Sequence, residues 1–274
     1  MQTDFCIMTK KGLLIVCMVL GLTACGEYQQ LLKSTDPDLK YQKALMYFED
    51  QQYVKAQTLL DEVTSYYRGT DRSQDVLVYL SRSYMGQKDY LSAAEYYQAY
   101  IRNYPKGRYI IEARFQVGHC YYLDAPDARL DQTDTKKAIE FYTQFVEQYP
   151  ESPYAEQAYK EMSELYDKLA YKEYLSAKLY YNLGTYLGNN YLSAEIVAKN
   201  ALKNYPTNAY QEELNWLILQ AKYQQMLNSV AQKKEDRARE TEDEYYNFIT
   251  EYPESKHINA AQKINKEIKK ILNK

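Results

Sequence analysis

The stretch from Gln74 to Pro105, QDVLVYLSRSYMGQKDYLSAAEYYQAYIRNYP, decides the fold. Counted from Gln74 as position one, Leu77, Leu80, Ser81, Tyr84, Ala93, Tyr97 and Pro105 fall on the seven signature positions of a tetratricopeptide repeat. The spacing has a physical logic. Leu77, Leu80, Ser81 and Tyr84 recur at three- and four-residue intervals and share one helix face, and Ala93 and Tyr97 do the same on a second helix. Small Ser81 and Ala93 let the two helices approach closely, and Tyr84 and Tyr97 fill the space around that contact. Pro105 ends the second helix, because proline removes a backbone donor and clashes with the preceding turn.

The same unit recurs on both sides. Ala44, Tyr47, Ala56 and Leu60 lie 37 residues before Ser81, Tyr84, Ala93 and Tyr97. Asp36-Pro37 opens that first unit as a cap and first-turn pair. A third unit carries Gly118, Tyr121, Ala138, Tyr142 and Pro150, with an insertion of about eight residues against the repeat template. That insertion, around Asp124 to Asp134, holds Pro126 and several acids and reads as a loop. A fourth unit reuses Tyr90-Leu91-Ser92-Ala93 as Tyr191-Leu192-Ser193-Ala194, and its first helix carries the stripe Ala155, Ala158, Met162, Leu165 and Leu169. A degenerate fifth runs from Gln211 through Pro253. The predicted fold is all-α: a tetratricopeptide-type helical-hairpin solenoid of about five repeats (37–73, 74–110, 111–153, 154–206 and 207–253) with a C-terminal helix over 255–272. That last helix sets Ile258, Ala261, Ile264, Ile268 and Ile271 against lysines and reads as a cap, with a partner-docking or membrane-surface helix as the alternative. The stretch from Gln232 to Glu244 reads as one exposed helix face rather than a linker.

Tyr-Pro itself repeats, at Tyr104-Pro105, Tyr149-Pro150, Tyr205-Pro206 and Tyr252-Pro253. Two residues after each proline stands Gly107, Ser152, Asn208 or Ser255. These are favoured N-cap types, so each is expected to cap the next helix.

The N-terminus reads as an address. Lys10 and Lys11 precede the apolar run GLLIVCMVLG (Gly12 to Gly21), too short for a stable membrane span. Leu22-Thr23-Ala24-Cys25 then matches a lipobox, which predicts a signal peptide over 1–24 and a lipidated Cys25. Met8 is an alternative start. Gly26, not Asp, follows the cysteine, which points to the outer membrane. Of the four cysteines, Cys6, Cys17 and Cys25 belong to this region, so Cys120 has no disulfide partner in the mature body.

Composition agrees with a helical scaffold. Only 9 Gly and 7 Pro interrupt 274 residues, and 33 Tyr supply rings that bury an apolar body beside a polar tip. A mean hydropathy of −0.67 excludes a polytopic membrane protein. A net charge of −3 gives no reason to expect nucleic acid as a partner. No phosphate-cradling glycine loop, GxSxG, HExxH or CxxC is present, so the reading is of a protein that is not an enzyme. His119 and His257 are the only histidines, too few for a conventional multi-histidine site, and no metal or cofactor is expected. His119 beside Cys120 is expected to place one side chain in the groove and one in the core. Residues on the first helix of a repeat, off the signature positions, face the concave surface of such an array. Tyr41, Arg82 and His119 are the candidates there. Lys233, Lys234, Arg237 and Arg239 form the candidate rim charges near the other end.

The lipobox, the five units and the repeated Tyr-Pro-x-Ser/Gly/Asn-x-Tyr turns together resemble the BamD, or ComL, family. Two segments carry the resemblance most. One is Arg129-Leu130-Asp131-Gln132-Thr133 with Lys137-Ala138 and Tyr149-Pro150. The other is Leu169-Ala170-Tyr171-Lys172-Glu173-Tyr174 with Ala177, Tyr180-Tyr181, Tyr191 to Ala194 and Tyr205-Pro206. The resemblance implies a non-catalytic lipoprotein anchored in the outer membrane and facing the periplasm. It would bind the BamA insertase and other subunits of the β-barrel assembly machinery and assist unfolded outer membrane proteins. It further implies that N-terminal repeats meet substrate while those from about Tyr174 onward hold the insertase. A SusD-like glycan-binding lipoprotein and a CpoB-like periplasmic adaptor are the alternatives. The first is typically about twice as long, and Trp216 alone is a poor stacking platform; the second usually lacks a lipobox.

Overall fold

The computed structural model describes residues 26–272, and everything built on the signal peptide and Cys25 lies outside that range. Among the described residues every regular element is an α-helix and there is no strand. The architecture is the expected tetratricopeptide type, consecutive helices packing as antiparallel pairs. The helices divide into two compact units, Met1–Asp124 and Ala125–Lys274. The division falls inside the third predicted repeat, between its two helices.

The first unit holds α1 (residues 26–33), α2 (Pro37–Glu49), α3 (Tyr53–Thr64), α4 (Arg72–Gly86), α5 (Tyr90–Asn103) and α6 (Ile110–Asp124). Asp36 starts α2 as its sequence suggests: its carboxylate accepts from the Asp38 and Leu39 N–H groups at 3.0 and 3.1 Å, with Pro37 at the first helical position. Ala44, Ala56, Ser81 and Ala93 are fully buried, the condition for close helix approach. Leu31, Leu59, Leu60, Val63, Val76 and Leu80 form a continuous core with Ala44. Tyr97 is buried and Tyr84 half-buried, stacked on Tyr96 at 5.1 Å.

The second unit holds α7 (Thr133–Gln148), α8 (Ala155–Leu183), α9 (Asn190–Asn204), α10 (Gln211–Leu227), α11 (Ala231–Glu251) and α12 (Ile258–Leu272). Residues 125–132, the predicted insertion, form a loop. The Lys168 and Lys172 ammonium groups hold it to α8 by donating to the Ala125 and Leu130 carbonyls at 3.1 and 2.6 Å. The charged stretch is indeed helical, as part of α11. Ala261, Ile264 and Ile268 of α12 pack on Trp216, Tyr245 and Phe248, leaving its lysines outside.

The Tyr-Pro turns differ from expectation in a specific way. Each tyrosine ends its helix in one shared conformation, φ between −125 and −135° and ψ between 55 and 70°. The following proline denies that residue the helical region. Yet the next helix starts three residues beyond Gly107, Ser152, Asn208 and Ser255, so these are not its N-caps. The Ser152, Asn208 and Ser255 side chains instead close a tight turn. They accept the N–H of Tyr154, Tyr210 and His257, two residues on, at 3.2, 2.7 and 3.0 Å. At Gly107 no side chain exists, and the Tyr100 hydroxyl takes the Tyr109 N–H at 2.9 Å. A Cβ at Gly107 would collide with that hydroxyl. The residues matching Tyr100 are Phe145, Ala201 and Phe248, none with a hydroxyl. One donor is thus satisfied four times, from two directions.

Candidate functional site

The first helices of the N-terminal unit carry a cluster of exposed and half-buried aromatic and charged side chains. On α4, Asp75, Tyr79 and Arg82 fall at four- and three-residue spacing and share a face. Arg82 is clamped by Glu112 of α6, its guanidinium donating to both carboxylate oxygens at 2.7 to 2.9 Å. Its carbon centre lies 5.4 Å from the Tyr79 ring and 5.7 Å from the Tyr109 ring. Asp75 accepts from the Tyr109 hydroxyl at 2.7 Å and pairs with Arg108.

A second knot joins it through Tyr41. Arg72 covers the Tyr41 and Tyr67 rings at 5.1 and 5.0 Å and pairs with Asp38. The Tyr67 hydroxyl donates to Asp38 at 2.7 Å, and this bond, with Arg72, holds the Asp38 carboxyl below its usual range. Burial, then the Asp75 carboxylate, pushes the Tyr41 hydroxyl up to about 12, so it stays a neutral donor at physiological pH.

Of the three predicted groove residues, Tyr41 and Arg82 therefore belong to one network. His119 lies on α6 seven residues beyond Glu112. It stacks between Phe115 and Tyr122, at 5.6 and 6.0 Å. His119 is half-buried, and the neighbouring Cys120 is fully buried, as their divergence on a helix requires. Burial and Asp124 push the Cys120 thiol up to about 12, so it is a packing residue and not a nucleophile. The sequence reading missed Tyr79, Tyr109, Asp75, Arg72 and Glu112. A search for charged and aromatic residues three and four positions from Arg82 finds the first of these, and one more step along the same face finds Asp75. The others depend on contacts between helices.

The four predicted rim charges do not form one face. On α11, Arg239 projects well away from Lys233, because six residues turn a helix by about 1.7 turns. Arg239 pairs with Glu235 at 2.7 Å. Arg237 points back to the end of α10 and donates to the Gln225 carbonyl at 3.0 Å and the Ser229 hydroxyl at 2.7 Å. It closes the α10–α11 turn, where a cation also meets the negative end of a helix. Lys233 is exposed and Lys234 half-buried.

The second unit has its own aromatic cleft of about 280 Å³, lined by Tyr174, Lys178, Tyr181, Glu213, Trp216 and His257 among others. Trp216 is buried and stacks on His257 at 4.8 Å and 9°. It is no exposed platform for a sugar. Tyr174, the predicted start of the insertase-binding end, lies within α8, so no structural boundary falls there. Among the described residues no group of three His, Cys, Asp or Glu side chains is placed to hold a metal ion. No helix among them is long and apolar enough to cross a membrane.

The fold defines a tetratricopeptide-type repeat protein, and the first helices of its N-terminal unit display aromatic and charged side chains. The profile of the YfiO family, described as outer membrane lipoprotein, matches residues 33–189, more than half of the chain. The chain belongs to that family of outer membrane lipoproteins. A search of curated proteins gives no match.

Proposed function

We propose that this chain is a scaffold lipoprotein of the outer-membrane β-barrel assembly machinery. Acylated Cys25 tethers it to the membrane, and the helical body works in the periplasm. It takes no part in chemistry. It binds a BamA-like insertase and receives unfolded barrel segments along the first helices of its N-terminal unit. The match to an outer membrane lipoprotein family over residues 33–189 carries this reading. The Tyr41–Tyr79–Arg82–Tyr109 surface supports it, because rings and guanidinium groups held by neighbours bind extended chains with little further ordering cost.

The test is affinity purification of the full-length acylated protein from detergent-extracted membranes. A BamA-like barrel should co-purify. Photo-crosslinkers at Tyr79 and Tyr109 should capture nascent barrel proteins, while one at Lys263 of α12 should not. Absence of any barrel protein from the purified material refutes the machinery reading. Crosslinking at α12 equal to that at Tyr79 refutes the surface assignment. Reversal of charge at Lys233, Lys234 and Arg239 tests the α11 rim and should reduce insertase recovery if that rim steers docking.

A further inference from the structure

The turn between α8 and α9 differs from those between α2 and α3 and between α4 and α5. The α2–α3 turn carries Asp50, Gln51 and Gln52, and the α4–α5 turn carries Gln87, Lys88 and Asp89. In each, one non-glycine residue takes the left-handed conformation: Gln51 at φ 59° and Lys88 at φ 63°. The α8–α9 turn does the same with Leu187 at φ 55°, and that leucine is 90% exposed. Left-handed backbone is costly for an L-residue with a full side chain, and an open leucine in water adds to that cost. The polar turns show that helical hairpins of this kind need no leucine there.

The neighbourhood is of one character. Tyr186 is 67% exposed, and Leu179, Tyr180, Leu183 and Leu192 are exposed with it. From Tyr174 to Ala194 there is no acidic residue and a single lysine, Lys178, in a chain that is 26% charged. The backbone of the tip is closed on itself. Gly184 donates to the Tyr180 and Tyr181 carbonyls at 3.2 Å, Tyr186 to Leu183 at 3.0 Å and Asn190 to Gly184 at 3.0 Å. The Asn190 side chain covers the Tyr186 carbonyl at 2.7 Å. A projecting turn with apolar side chains outward and part of its polar backbone already paired can enter the hydrated headgroup region, where its remaining backbone groups still find partners, at modest desolvation cost.

We propose that the α8–α9 tip is a membrane-contacting element: Leu187 and Tyr186 enter the headgroup region of the lipid surface to which the chain is anchored. Leucine supplies the apolar area, and tyrosine suits the interface, with its ring in the acyl boundary and its hydroxyl among headgroups. The missing carboxylates remove repulsion from lipid phosphates. One anchoring chain gives only marginal, reversible binding, so a second weak contact acts on top of it and also limits how the body turns on its tether. This inference rests on the lipid anchorage proposed above, and the experiment separates the two.

Thr185→Cys, labelled with a polarity-sensitive dye, reports on the tip in the full-length acylated protein reconstituted into vesicles of phosphatidylethanolamine and phosphatidylglycerol. Cys120 is buried and its thiol stays protonated, so the label is specific. Gln51→Cys, at a polar turn, is the reference. Flotation shows anchorage. The label at 185 should shift to the blue, lose most of its quenching by aqueous iodide and be quenched by shallow lipid-borne quenchers. The label at 51 should remain water-like. Tyr186→Ser with Leu187→Ser should abolish the protection at 185 while flotation and helical content persist. Flotation with equal iodide access at 185 and 51 overturns the tip proposal alone. Protection that appears only when co-purified protein subunits are added overturns it in favour of a protein partner. Failure to float overturns the anchorage reading and the tip proposal with it.

Discussion

The hydroxyl of Tyr100 and the absence of a side chain at Gly107 are two halves of one device, and exchanging them tests it. Tyr100→Phe removes the acceptor of the Tyr109 N–H (2.9 Å) and the donor to Gln74 Oε1 (2.9 Å). Leaving a half-buried N–H unsatisfied at a helix start costs about 1–2 kcal/mol. Gly107→Ser in the unaltered chain pushes a Cβ into the Tyr100 hydroxyl and to 2.7 Å from Gln74 Oε1, an overpacking that costs about 1–3 kcal/mol. The double variant should do better than either. The new hydroxyl sits where Ser152 holds the Tyr154 N–H at 3.2 Å, and the colliding oxygen is gone. The ring carbon 2.9 Å and Gln74 Oε1 2.7 Å from the new Cβ must still yield by a few tenths of an ångström, and Gln74, no longer tied to the Tyr100 hydroxyl, is a long side chain that can shift. Phe145 already coexists with Ser152 in this arrangement. Urea titration of all four proteins, followed by far-ultraviolet circular dichroism, gives the coupling energy, expected at about 1–2 kcal/mol in the favourable direction. If the double variant is destabilised by the sum of its parts or more, the two solutions to the turn are not equivalent, and the reasoning fails.

Ala93→Leu should destabilise by about 1–3 kcal/mol in the same assay, because Ala93 is fully buried and has no room for a larger side chain. Arg82→Ala should cost about 1–3 kcal/mol, more than a surface change, since it strands the Glu112 carboxylate that now accepts three hydrogen bonds. Arg237→Ala should lower stability by about 1 kcal/mol, whereas Lys233→Ala should be neutral. Glu195 and Glu244 should show opposite pH signatures. Burial raises Glu195, but hydrogen bonds from Lys199 and Gln225 and the charge of Lys222 outweigh it and leave the carboxyl below its usual range. Its contribution is therefore present above the unfolded value and lost as pH falls through the lowered one. Burial holds Glu244 above its usual range despite Lys222, so its contribution is lost as pH rises. Glu244→Gln should thus stabilise at neutral pH by less than about 1 kcal/mol and Glu195→Gln destabilise, both effects fading in acid. Thermal unfolding at pH 7 and pH 4 checks the signs.

Local pattern and long-range contact are not equally legible. Leu77, Leu80, Ser81 and Ala93 reveal the hairpin because helical periodicity and side-chain size act within one or two turns. The loop at 125–132 is visible for the same reason. The capping expected of Ser152, Asn208 and Ser255 is wrong by two residues, since Tyr154 and Tyr210 hold the cap positions of α8 and α10. Their preference for capping and for tight turns comes from one short acceptor side chain, and identity alone does not say which N–H it will find. Arg237 looks like a rim charge because its partner is a backbone carbonyl of α10, and a carbonyl leaves no mark in sequence. Repeat position finds Tyr41 and Arg82, but the pairings that hold this surface, Arg72 with Asp38, Tyr109 with Asp75 and Arg82 with Glu112, run between different elements. They become readable only once the helices are stacked.

The stack of Trp216 on His257 gives the chain a built-in optical reporter. With one indole against 33 tyrosines, excitation in the red edge of the absorption band selects a single site, buried in the second unit. The first unit contributes nothing to that signal. Fluorescence therefore follows the melting of residues 125–274, while circular dichroism follows all the helices. Superimposable curves would mean one cooperative transition, and separated curves would mean that the two halves of this scaffold come apart in turn.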